Sequence, residues 1–255
     1  TLNHIHGMGH EVIQGRRAAK NKDNTMAFLD GLSEEINNHV MCKGSTALRL
    51  SSSLKGSGMS FRYDLIKKEL SSMASVGGFD RELELLLVNK GYKVLYIDEA
   101  VVYDEKVRNS AVFENQRKRW ISSQYHYLAK YFFSGIKGLF IGQFTYFNST
   151  VLRNIQLPRL LNLGLLALLT TVSILLSLVV TTQFIKWIIL SGITVLSLIL
   201  AIPNEYFGKQ MLKAITSLPL IFLRMFLLLF KLKGANRKFI HTPHSASEVS
   251  DSKSK

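Results

Sequence analysis

The sequence predicts an incomplete α/β domain followed by interfacial and transmembrane α-helices. Three observations lead there. The 255 residues carry a net charge of +14, but charge and apolar residues are segregated. Residues 1–159 hold 22 basic and 15 acidic side chains, residues 160–202 hold one charge, and residues 203–255 hold nine basic against three acidic. Neither a soluble globular chain nor a disordered one sorts its residues in this way. Two apolar runs stand side by side in the poorly charged stretch, and strand and helix periods alternate over residues 11–115.

Within that first region, Glu11–Gln14 reads as a short strand. Residues 24–41 follow a helical period through Met26, Leu29, Leu32, Ile36 and Val40, with Asn24 as the N-cap. Gly56–Phe61 reads as a loop leading into a strand and Tyr63–Met73 as a helix. Asp80–Asn89 is a further helix closed by Gly91, and Lys93–Ile97 a strand. No internal repeat and no phosphate loop of the P-loop type is present. The sheet has too few strands for a complete domain of this class.

Residues 116–147 interleave aromatic side chains (Trp120, Tyr125, Phe132, Phe140 among them) with Arg117, Lys118, Arg119, Lys130 and Lys137. Such a stretch either packs against a helix pair or lies at the headgroup level. Its position just before an apolar run favours the second. Leu160–Val180 is free of formal charge, and its 21 residues at ~1.5 Å each match a bilayer core of ~30 Å. Phe184–Ile202 is a second span, with Lys186 placed to snorkel. Pro158 opens the first and Pro203 closes the second. A third stretch, Leu218–Phe230, is only 13 residues and contains Arg224, which suits a surface or re-entrant helix. Arg153 and Arg159 before the spans and Lys231, Lys233, Arg237 and Lys238 after them place both flanks on the cytoplasmic side. That arrangement needs an even number of crossings. The tail 245–255 is polar and Ser-rich, as in disordered segments.

Five features bear on chemistry. Asp80 follows Gly77-Gly78-Phe79 at a helix start, where an acid either satisfies free amides or is fixed as a general base. Glu82 and Glu84 point away from it and are expected to be solvated. Gln116-Arg117-Lys118-Arg119-Trp120 is either a solvated basic run or a cradle in which guanidinium forks hold a diphosphate and the indole stacks on a sugar. Gly56-Ser57-Gly58 allows close backbone approach to a ligand, although turns use such glycines constantly. His4, His6 and His10 have no Cys or carboxylate at ligand spacing, so no metal is assigned to them. Phe239–His244 reads as a turn after a helix. The single cysteine, Cys42, excludes an intramolecular disulfide and a CxxC site.

Taken together these residues resemble the membrane-bound family-2 glycosyltransferases, the group of cellulose, hyaluronan and chitin synthases. Gln116, Arg119 and Trp120 match the family's Q-x-x-R-W, 36 residues after Asp80 and directly before the membrane helices. Gly56–Arg62 is similar to its G-[ST]-G-x-x-[FY]-R stretch. Asp80 with Leu83, Leu87 and Gly91-Tyr92-Lys93-Val94 is similar to its E-D-x-x-L segment, in which the Asp is the base. Phe79 stands where that family has an acid.

The resemblance implies that residues 1–115 are the C-terminal part of a cytoplasmic GT-A-type domain. It implies that 116–157 hold the Q-x-x-R-W and an interfacial region, 158–203 two transmembrane helices, and 204–244 an amphipathic helix with a segment near the active-site mouth. Asp80 would be the catalytic base, and Gln116, Arg119, Trp120, Gly56, Ser57 and Gly58 would bind donor and acceptor. The partners implied are a nucleotide-sugar donor, a glycan or lipid acceptor and the membrane, with no nucleic acid. The location implied is a multi-pass protein of the cell membrane. No D-x-D motif occurs in the sequence. The nucleotide-binding half and its Mg²⁺ or Mn²⁺ are therefore expected outside this chain, and little turnover is expected from the chain alone. The rival reading is a non-enzymatic, membrane-anchored basic module for anionic lipid or nucleic acid. A small transporter is disfavoured because no ionisable residue sits mid-span.

Overall fold

The computed structural model describes residues 2–73, 78–177 and 184–231. A short helix α1 (Leu2–Gly7) leads to strand β1 (Val12–Ala19), which runs five residues beyond the expected Gln14. Arg16 and Arg17 do not end it, because Glu35 and Glu34 neutralise them at 3.1 and 2.7 Å. Those acids lie on α2 (Thr25–Asn37), whose N-cap is Asn24: its side chain accepts from Ala27 N at 2.8 Å, as the sequence predicts. The chain then widens into a π-helical turn (Asn38–Gly44) and closes in α3 (Ser45–Ala47).

An extended loop, 48–58, carries the chain into β2 (Met59–Phe61), followed by α4 (Tyr63–Ser72), α5 (Phe79–Asn89) and β3 (Val94–Asp104). The sheet order is β2-β1-β3, with β2 antiparallel and β3 parallel to β1. Gly15 pairs with Ile97 but Arg16 with Val101, so residues 98–100 bulge out of β3. The bulge brings Ala100 O to 2.4 Å from where a Cβ on Gly15 would sit, so only glycine fits there. The strand expected at 93–97 thus resumes beyond the bulge. Val12, Leu54, Leu65, Leu83, Leu87 and Val94 form the core between sheet and helices.

Helix α6 (Ser110–Phe140) is 31 residues long, capped by Asn109, whose side chain accepts from Ala111 N at 2.8 Å. It contains most of the aromatic-basic segment. The chain then folds back through α7 (Phe144–Phe147), a π-helical turn (Asn148–Leu152) and α8 (Arg153–Ile155) into α9 (Arg159–Ser177). Helix α10 (Phe184–Leu200) packs on α9, where Thr170 Oγ1 and Ser191 Oγ meet at 2.8 Å. A 3₁₀ turn (Asn204–Tyr206) connects it to α11 (Lys209–Leu229).

Among the described helices, α9 and α11 are long and apolar enough to cross a membrane, whereas α10 is 17 residues. The third apolar stretch is therefore longer than the 13 residues expected. The helix takes in the mixed sequence Lys209–Ser217 ahead of the uninterrupted run and tolerates Pro219. It buries one side along its length: Ala214 joins Phe28, Leu32, Ile36 and Tyr206, while Ile221, Met225 and Leu228 join Phe113, Ile121 and Leu161. Gly164 of α9 admits the Phe222 ring, which would lie 2.0 Å from an added Cβ. The region Phe239–His244 and the tail lie outside the described residues.

Candidate active site

A cleft of ≈ 880 Å³ lies where the loop 53–57, the start of α5, the end of β3 and one face of α6 converge. Asp80, Gly56, Ser57, Gln116, Arg119 and Trp120, separated by up to 64 residues of chain, all line it. Gly58 lies beside them but faces inward against Val102 and Gln14. Its φ of +66° shapes the turn into β2.

Gly78 caps α5 in the left-handed region at φ +68°. A Cβ there would meet Ser123 Oγ at 2.8 Å, so glycine lets the start of α5 rest directly on α6. Asp80 occupies the first turn of this helix and faces the loop. Gly56, at φ +80°, has its absent Cβ only 3.4 Å from Asp80 Oδ2. The carboxylate thus looks across the cleft at bare backbone. Burial raises the Asp80 pKa above its ordinary value, and the Arg81 amide and charge only partly offset this. A desolvated carboxylate of that kind accepts a proton more readily at neutral pH than an exposed one.

The acids next along α5 correct the sequence reading. Glu82 and Glu84 are buried rather than solvated. Glu82 accepts from Lys130 Nζ at 2.5 Å and from Tyr127 and Tyr131 hydroxyls at 3.5 Å, tying α5 to α6. Glu84 accepts from Arg81 and Arg153 at 2.9 Å each and from Leu54 N at 3.1 Å. Arg153 also donates to Ser53 Oγ (3.2 Å), Ser45 Oγ (3.0 Å) and Ser51 O, so it grips the loop that leads into Gly56. Sequence reasoning missed these partners because they lie 48 and 69 residues away from the acids.

The cleft floor is cationic. Arg17, Lys55 and Lys106 surround Glu34 at 2.7, 2.8 and 3.5 Å, and Lys106 also reaches Asp104 at 3.0 Å. Burial alone would raise the Glu34 pKa; Lys55, Arg17 and Lys106 overturn that and hold it far below the usual carboxylate range. Seven Arg and Lys side chains line the cleft against four carboxylates. On α6, Arg117 pairs with Asp30 at 2.6 Å and lies over the rings of Phe113 and Trp120 at 4.7 and 4.6 Å. It therefore orients Trp120 from behind and leaves Gln116, Arg119 and Trp120 to face the cleft. Ser57 Oγ and Gln116 Oε1 are buried with no hydrogen-bond partner among the described residues. Buried polar atoms rarely stay unpaired, so each has a hydrogen bond open to water or another group.

The residues present do not fit a divalent ion. Among the described residues no three His, Cys, Asp or Glu side chains come together. Glu34 and Asp104 are already neutralised by cations. His6 is occupied by the His10 carbonyl at 2.7 Å and the Ser60 hydroxyl at 2.8 Å.

The family model described as Glycosyl transferase family group 2 matches residues 1–229, most of the chain. No curated protein and no solved structure gives a match.

Proposed function

The chain belongs to glycosyl transferase family group 2, and from that premise we propose that Asp80 is the base of an inverting sugar transfer at a membrane surface. The donor is a nucleoside diphosphate sugar and the acceptor a glycan or lipid hydroxyl, in polysaccharide biosynthesis of the cellulose, hyaluronan and chitin synthase type. The observation that carries this reading is the convergence of Asp80, Gly56, Gln116, Arg119 and Trp120 on one cationic cleft.

In this mechanism the acceptor hydroxyl lies against Asp80 and gives up its proton to the carboxylate. The acceptor oxygen bonds to the anomeric carbon from one face while the bond to the diphosphate oxygen breaks on the other, which inverts the centre. Charge accumulates on the departing diphosphate, and the Arg and Lys side chains of the cleft stabilise it. Gln116 and Arg119 supply the polar contacts and Trp120 a face for a sugar. Gly56 leaves room beside the base for the reacting atoms. No step is assigned to a metal, because the side chains here do not assemble one. The sequence also contains no D-x-D.

The membrane supplies the setting. Helix α9 follows the cleft-lining Arg153 and Asn154 directly, and α11 lies along α2 and α6. We assign α9 and α10 as the membrane hairpin, α11 as the interfacial helix, and the α/β domain to the cytoplasmic face.

The test is release of nucleoside diphosphate from a panel of nucleotide sugars. It is run on membranes carrying the open reading frame that contains this sequence and on the isolated chain, each with Asp80→Asn as control. Turnover by the open reading frame that disappears in Asp80→Asn is expected, with far less from the isolated chain. Turnover undiminished by that substitution overturns the assignment of the base.

A further inference from the structure

Phe79 is an exposed aromatic side chain in a place that water should not favour. It is 45 % exposed, it lines the cleft, and it immediately precedes Asp80. An apolar ring left open inside a cleft, rather than scattered on the outer surface, marks a contact surface for something that binds there. Its surroundings narrow what that is. Gly78 seats the start of α5 against Ser123 of α6. Trp120 lies three residues before Ser123, about 4.5 Å along the helix axis, and lines the same cleft. Across from the Asp80 carboxylate stands Gly56, which carries no side chain and whose Cβ position lies 3.4 Å from Oδ2. The base therefore has an aromatic flank and a bare flank.

We infer that Phe79 is a stacking residue for the acceptor, selecting a pyranose that presents an apolar C–H face. This rests on the reading of Asp80 as the base. The hydroxyl that Asp80 deprotonates belongs to the acceptor, so the acceptor ring begins one bond from that carboxylate. The donor ring lies beyond the reacting oxygen and is further away. Phe79 and Asp80 are consecutive in the first turn of α5, their side chains about 100° apart around the helix, and both line the cleft. A planar aromatic surface in the same cleft matches the C–H face of a pyranose, and the hydrogen-bonding edge of the same ring remains free to reach Asp80. Glycine at Gly56 keeps the other flank open for the donor. Because Phe79 is exposed, truncating it leaves no core cavity, so its loss is read in binding rather than in folding.

The experiment uses the full chain in detergent micelles and the trisaccharides of β-linked glucose, N-acetylglucosamine and galactose as probes, with sorbitol as the non-cyclic control. Saturation transfer from protein to sugar protons and a titration report the contact and the affinity. The wild type is expected to bind at least one trisaccharide, with the strongest transfer to protons on one ring face. Phe79→Ala should weaken that binding about five- to tenfold and abolish the face selectivity. Phe79→Tyr should keep both, and Phe79→Leu should lose the selectivity while folding normally. Equal binding by wild type and Phe79→Ala, or no trisaccharide bound better than sorbitol, overturns the inference. Donor turnover separates this from the proposed function. A Phe79→Ala protein that binds sugar as the wild type does while Asp80→Asn is inactive removes the stacking role alone. Sugar binding lost in Phe79→Ala beside turnover undiminished in Asp80→Asn removes the assigned base, and the stacking inference that rests on it fails as well.

Discussion

Glu84 and Arg153 form a buried ion pair at 2.9 Å that joins the helix carrying Asp80 to the segment leading into α9. Glu84 has no exposed surface, and it also accepts from the Leu54 amide. Arg153 holds Ser45, Ser51 and Ser53 on the other side. The loop opposite Asp80 is thus pinned by a pair whose partners come from two distant parts of the chain. Removing Glu84 leaves Arg153 as an uncompensated buried charge, which costs about 3–5 kcal/mol, whereas removing Arg153 leaves Glu84 still paired with Arg81 at 2.9 Å. Glu84→Leu should therefore lower the unfolding midpoint more than Arg153→Met, and the double variant should recover part of the Glu84→Leu loss. A thermal or denaturant double-mutant cycle measures this; additive losses would show that the two charges are not coupled.

Asp80 makes a pH dependence with a defined sign. Its carboxyl is held above the ordinary range by burial, so the folded state binds the proton more tightly than the unfolded chain. Ionisation therefore costs the folded state stability, and that cost grows as pH rises from the unfolded pKa through the folded one. Asp80→Asn should unfold at neutral pH no more easily than the wild type, while losing turnover by about 10²–10⁴-fold. In the wild type, turnover should rise with pH through an apparent pKa higher than that of a free carboxylate. A stability loss in Asp80→Asn, or a turnover profile flat across that window, would contradict this account.

Glycines near the base are constrained in two ways. Gly56 is at φ +80° and Gly78 at +68°, where a Cβ is disfavoured by roughly 1–2 kcal/mol. Gly56→Ala should fold with that modest penalty and lose turnover further, because its methyl group reaches contact distance from Asp80 Oδ2. Gly78→Ala should be the more destabilising of the two, since its Cβ would collide with Ser123 at 2.8 Å and push α5 off α6. Comparing unfolding midpoints with turnover for the two variants separates crowding of the site from disruption of the packing beneath it.

Much of this arrangement was legible in the sequence where the signal is local. Asn24 announces the start of α2, and Gly91, at φ +89°, closes α5. The order of Gly56, Asp80 and Gln116–Trp120 gave the cleft its residues. What could not be read depends on partners far along the chain. Glu82 and Glu84 look like solvated acids until Lys130 and Arg153 arrive from other elements. The strand read at Glu11–Gln14 extends to Ala19 because α2 supplies Glu34 and Glu35 to Arg17 and Arg16. The bulge at 98–100 leaves no periodic trace, and its only sign is a glycine at position 15.

Helix α11 is apolar enough to cross a membrane by length and composition, and we predict from its packing that it lies along the surface instead. Its early residue Ala214 packs with Phe28, Leu32 and Ile36 of α2, and its late residues Met225 and Leu228 pack with Phe113 and Ile121 of α6 and Leu161 of α9. A crossing helix would carry one end away from the α/β domain. Tyr206 strengthens the anchor: it is buried against Phe28, with Lys22 over its ring at 4.2 Å and Lys22 paired to Glu205 at 2.7 Å. Leu212 and Leu227 are exposed near opposite ends of α11, about 22 Å apart along the axis. Cys42 is buried, so single cysteines introduced at these two positions can be spin-labelled selectively. In nanodiscs the two labels should report nearly equal depth from collision with oxygen and a water-soluble nickel chelate. A difference approaching the full axial separation would place α11 across the bilayer.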